Sequence, residues 1–179
     1  WAIAKADGTQ GGLLSLSATA PTMPGGYTFK ARVGWIRTDG TGNKYPLGFT
    51  QKGRAVSYLI ASGTNVTASP TIASGVNGSY SAGSVTFVAA SVSSVVPPTA
   101  SKIQVHFNTA GAAAAIAIAP NGSSTWTGYG GSNPPPLQTD SGTTVNVTKA
   151  EFMLESTNLY YACGVSNGSL LCDGWEDNL

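Results

Sequence analysis

Lys102-Ile103-Gln104-Val105-His106-Phe107-Asn108 decides the fold class. Apolar and polar side chains alternate with a period of two, so Ile103, Val105 and Phe107 face one way and His106 the other. A helix would need an apolar spacing of three and four, and nothing in this stretch supplies it. The same alternation recurs in Val56, Tyr58 and Ile60, in Val85, Phe87 and Ala89, and in Val145 with Val147. Phe152 and Leu154 continue on the opposite parity, which predicts a bulge or break near Lys149. Gly111 to Pro120 holds four consecutive alanines. Its Ile116 and Ile118 alternate with Ala117 and Ala119 before a proline, and it reads as a strand with small side chains.

Turn chemistry agrees. Asn-Gly occurs at 77, 121 and 167, and Asp-Gly at 7, 39 and 173. Both dipeptides tolerate the positive φ of tight hairpins. Many short strands with such turns, and no alternation of strands with helices, predict an all-β chain. The expectation is an antiparallel β-sandwich of jelly-roll type over residues 45–179, with residues 1–44 completing or linking to an upstream domain. A chain opening at Trp1 is expected to be a piece of a longer one.

Only 9% of residues are charged and the net charge is +1, against about 25% charged in an ordinary domain. No basic field exists to hold a phosphate backbone, so nucleic acid is not an expected partner. No apolar run reaches the roughly 20 residues of a membrane-spanning helix, so membrane insertion is not expected either. Such a surface suits a neutral, sugar-like partner.

Taking Asn167-Gly168 as a hairpin centre places Cys163 directly opposite Cys172, the only two cysteines. At a non-hydrogen-bonded site their Cα atoms would approach within about 4.5 Å. Two packed thiols and a disulfide both remain open. Gly164-Val165-Ser166-Asn167-Gly168 fits the G-x-S-x-G pattern of a serine hydrolase, but the motif needs a helix after it and a strand is expected here. His106, the only histidine, reads as a solvated strand residue or, secondarily, a ligand contact. Glu151 and Glu155 on one strand face would stand about 13 Å apart, too far for a glycosidase pair. Asp173, Glu176 and Asp177 read as solvated charge on a tail. No catalytic residue, metal ligand or cofactor is expected.

Trp126, Tyr129 and Asn133 lie in a Gly-, Ser- and Pro-rich loop. An exposed indole beside hydroxyl and amide groups can stack on a sugar ring and bond its hydroxyls. The other reading is a tryptophan tucked beneath its loop. Trp35 and Trp175 read as core or subunit contacts.

Leu13 to Asn43 runs LLSLSATAPTMPGGYTFKARVGWIRTDGTGN, Phe49 to Tyr58 runs FTQKGRAVSY, and the chain closes with LYYACGVSNGSLLCDGWEDNL. These stretches resemble the tail fibres and tail-spike tips of bacteriophages and prophages. In those proteins a "TAPTLPSGYT"-like loop is followed by an "RVGWIRTDGSG"-like strand and turn, and the chain ends near "GWED". The two cysteines depart from that pattern, and residues 62–148 carry no match to it. The resemblance implies a homotrimeric, non-enzymatic adhesin of the virion, made in the bacterial cytoplasm, that binds a bacterial cell-surface receptor. A polysaccharide is the expected receptor. The alternative it leaves is a C-terminal trimerising or carbohydrate-binding module of a polysaccharide depolymerase.

Overall fold

The computed structural model describes residues 1–40, 42, 45–81, 84–109, 116–121, 137–138 and 146–178. Among them there is no helix, and every strand pairing is antiparallel. The strands are β1 (Ala2–Ala4), β2 (Gln10–Gly12), β3 (Phe29–Ala31), β4 (Phe49–Lys52), β5 (Ala55–Tyr58), β6 (Thr71–Ser74), β7 (Ser79–Ser81) and β8 (Ser84–Thr86). They continue with β9 (Val88–Ser91), β10 (Ala100–Thr109), β11 (Ile116–Ala119), β12 (Leu137–Gln138), β13 (Asn146–Met153), β14 (Asn158–Cys163) and β15 (Gly168–Asp177).

Two sheets share one core. The larger runs β13-β10-β15-β5-β4, with β6 also on β15; the smaller runs β12-β11-β14-β9. Strands β2-β1-β3 form a separate small sheet, and β7-β8 a two-stranded one. Ile103, Val105 and Phe107 are fully buried, as their alternation predicts, and His106 lies on the outer face. All four residues of β11 are fully buried, so small Ala117 and Ala119 let both faces of this strand be covered. Each fully buried Ile, Leu, Val or Phe contributes about 1.5–3 kcal/mol relative to exposure.

Several local expectations are corrected. Ile60 is exposed, because β5 ends at Tyr58. Val85, Phe87 and Ala89 do not share a strand face: the strand breaks at Phe87, and Ala90 rather than Ala89 is buried. No bulge occurs near Lys149. The β10–β13 ladder runs unbroken from Lys102↔Met153 to Thr109↔Asn146, with Phe152 buried and Ala150 packed against the core. Val145 lies outside the described residues.

The hairpin that would place Cys163 against Cys172 does not form. Both edges of β14 are taken by β11 and β9, and both edges of β15 by β10 and by β5 with β6. Residues 164–167 therefore carry the chain from one sheet to the other. Cys163 pairs with Ile116 and exchanges backbone hydrogen bonds with Asn77, whereas Cys172 lies opposite Val105. Gly168 makes the crossing tight, since a Cβ there would collide with Cys163 Sγ and stand 3.1 Å from Ile116 Cδ1. Both thiols are free and buried.

Asp173-Gly174 forms no turn. On β15, Cys172 faces Val105 and Gly174 faces Gln104, which leaves Asp173 as the extra residue of a β-bulge. A side chain at Gly174 would strike the backbone carbonyl of Val56 in β5, so glycine is required where the bulged strand meets its neighbour.

Candidate functional site

An open groove of about 540 Å³ lies where the small sheet meets the body, lined by Trp1, Leu13, Trp35, Phe49, Gln51 and Pro98 among others. Its walls are set by contacts between residues far apart in sequence. The Arg32 guanidinium makes two parallel hydrogen bonds to the Asp177 carboxylate, 2.8 and 3.0 Å, and a third to Asn178 O at 3.0 Å. Thr99 Oγ1 donates to the same carboxylate at 2.6 Å, and Arg54 Nε to Asp177 O at 2.8 Å. Asp177 is only 1% exposed. The expected solvated tail is thus a buried charge, tolerable because paired geometry and added donors offset its desolvation. Trp35 packs edge-on against Trp175, ring centroids 5.5 Å apart, and Tyr58 meets Trp175 at the same distance. The Gln51 amide donates to Val33 O and Gly53 O. Residues Arg32 to Trp35, Gln51 to Tyr58 and Trp175 to Asn178 therefore meet in one place.

A second polar cluster stands on the outer face of the larger sheet. The bulge at Asp173 presents its carboxylate to His106 Nδ1 at 2.8 Å, Ser69 Oγ at 3.0 Å and Lys149 Nζ at 3.3 Å. His106 is therefore hydrogen-bonded to Asp173 and held in place rather than a freely solvated residue. Ser69 and His106 engage the same oxygen of Asp173, whereas a nucleophilic serine must bond the imidazole itself. Farther along this face Lys102 lies between Glu151 at 3.1 Å and Glu176 at 3.3 Å, and the two carboxylates hold its ammonium above the ordinary lysine range. Glu155 instead accepts from Asn121, so Glu151 and Glu155 serve different partners. No group of three potential metal ligands occurs among the described residues.

Cys163 Sγ donates to Val165 O at 3.2 Å and Cys172 Sγ to Gly174 O at 3.6 Å. Burial pushes the Cys172 thiol up to about 12, which keeps it protonated and unreactive at neutral pH. Ser166 sits in an exposed turn followed directly by β15. Trp126, Tyr129 and Asn133 lie outside the described residues.

The Arg32–Asp177 anchor escaped a reading based on local pattern. One compositional signal points to it: seven of the nine basic residues lie at or before Arg54, and six of the eight acidic ones after it. Opposite charges so divided along one chain favour contact between its two ends. Comparison with protein-family models, curated proteins and solved structures finds no match.

Proposed function

We propose that the chain is a non-enzymatic receptor-binding tip of a bacteriophage tail fibre, carried on the virion as a homotrimer and binding a bacterial surface polysaccharide. The observation that carries this reading is the meeting of the three resembling stretches. Residues 13–43, 49–58 and 159–179 are joined through Arg32–Asp177, Trp35–Trp175 and Gln51–Val33, so the resemblance follows a spatial unit rather than scattered strings. The two sheets extend the reading to a jelly-roll sandwich, because antiparallel strands such as β14 and β15 follow each other in different sheets. Trp126, Tyr129 and Asn133 are the proposed sugar contacts, with His106 on a secondary face. No cofactor takes part.

Binding of the chain to purified surface polysaccharide and to whole host cells tests this. Saturable binding is expected, weakened by roughly 1–3 kcal/mol in Trp126→Ala if the indole is an anchor. Absence of binding to both polymer and cells removes the attachment reading. Undiminished binding by a folded Trp126→Ala chain moves the site to another face.

A further inference from the structure

Leu14 and Leu16 are the most exposed large hydrophobic side chains among the described residues, 82% and fully exposed. They alternate with Ser15 and Ser17 in a bent stretch outside any strand, along the lining of the open groove. The stretch is fastened rather than loose. Trp1 and Leu13 exchange backbone hydrogen bonds of 3.0 Å, and the Trp1 indole donates to Ser17 O. The result is a preformed apolar knob.

The body carries an apolar cleft of about 460 Å³, floored by Val92, Val96 and Leu154 between Pro98 and Glu155. Pro98 also borders the groove that holds the knob's stretch, so knob and cleft occupy neighbouring parts of one surface. The chain's own leucines leave its cleft unfilled, since they stay exposed. Charge adds a second complement. Lys30 stands beside the knob, its Nζ 3.5 Å from Thr19 O, and Glu155 stands on the rim of the cleft. A second copy supplies what each feature lacks: apolar fill for the cleft, cover for the leucines, and an opposite charge at each edge.

We infer that Leu14 and Leu16 of one copy occupy the Val92–Leu154 cleft of the next, with Lys30 facing Glu155. The contact joins two different patches, so it is heterologous, and within the proposed trimer it repeats around a closed ring. The inference names the contact surface of the assembly proposed above and rests on that reading.

Light scattering and sedimentation of the chain over a wide concentration range test it, with melting curves to verify folding. The wild-type chain is expected to sediment as a multiple of 18.1 kDa. Leu16→Asp should weaken self-association by at least tenfold. Lys30→Glu or Glu155→Lys alone should also weaken it, and the double exchange should restore it, an outcome that loss of the Glu155–Asn121 bond cannot produce. Should Leu16→Asp fail to fold, the charge exchange decides. A folded Leu16→Asp chain that keeps the wild-type mass, or a double exchange without rescue, overturns the contact but leaves the assembly standing. A wild-type chain that stays single at every concentration overturns both contact and assembly, while polysaccharide binding still judges attachment.

Discussion

The small sheet and the two-sheet body are made from the same charge-poor composition, yet they hold together differently. Strands β1 to β3 bury one hydrophobic residue, Ile3, and add the exchange between Trp1 and Leu13 and two cation–π contacts, Lys5 on Tyr27 and Lys30 on Trp1. Each cation–π contact contributes about 0.5–1 kcal/mol at an exposed site. The body gathers a contiguous core from Leu47 to Trp175, including Phe107, Ile118 and Tyr161. Three short strands with a single buried side chain lack the hydrophobic face that independent stability needs. The small sheet therefore depends on its attachment to the body, and that attachment is largely the Arg32–Asp177 pair with Trp35.

The sharpest way to break this dependence is Asp177→Ala. It leaves the Arg32 guanidinium, 11% exposed, without its buried partner. A loss of about 3–5 kcal/mol is expected in urea unfolding, with earlier proteolytic cleavage near Arg32. A change within the error of the wild-type curve would mean that the pair contributes little to the attachment.

Alkaline pH should next act on the body. Burial raises Cys172 from its ordinary 9.0 to about 12 and Tyr58 from 10.0 to about 12. Both groups are neutral when protonated, and the folded chain holds these protons more tightly than the unfolded one. Their stabilising contribution is complete below about pH 9 for Cys172 and about pH 10 for Tyr58, and is lost as pH rises through about 12. Within its window each group should lower stability by roughly 1.4 kcal/mol per pH unit. Cys172→Ala should delay the onset by about one unit, to where Tyr58 begins. An onset that ignores this substitution would show that the thiol is not the group responsible.

Gly174→Ala sharpens the contrast at a single backbone contact. Its methyl group meets the Val56 carbonyl, and a loss of about 1–3 kcal/mol is expected from the overpacking. Wild-type stability in this variant would mean that β5 can shift aside freely.

The smallest effect belongs to Ile3→Ala. The main unfolding transition should stay in place, while amide exchange at Ala2–Ala4 and Phe29–Ala31 speeds up about tenfold, equivalent to about 1.4 kcal/mol of local opening. A matching drop in the main transition would show the two regions to be one cooperative unit.

What could be read in advance divides along physical lines. Alternation in Lys102 to Asn108 placed β10 and its core face correctly, because a strand with one buried face writes that face into its own sequence. β11 was legible from the alternation of Ile116 and Ile118 with alanine before Pro120, although both of its faces are buried. The turn at Asn167-Gly168 misled because a hairpin and a crossing between sheets share the same local chemistry. What separates them is the occupancy of each strand's edges, supplied by β9, β10 and β11 from elsewhere in the chain. Asp173-Gly174 resembled a turn for the same reason. Asp177 looked solvated because its partner lies 145 residues away. The proposed sugar contacts at Trp126, Tyr129 and Asn133 were read from loop composition.

Strand β15 sits between β10 on one edge and β5 with β6 on the other, although it is made after all of them. During synthesis those earlier strands must wait with open edges until residues 168–177 have left the ribosome. An interrupted chain would present β10 and β5 as unpaired templates for other nascent copies. Biogenesis thus places a premium on completing residues 168–177, since β15 closes the larger sheet.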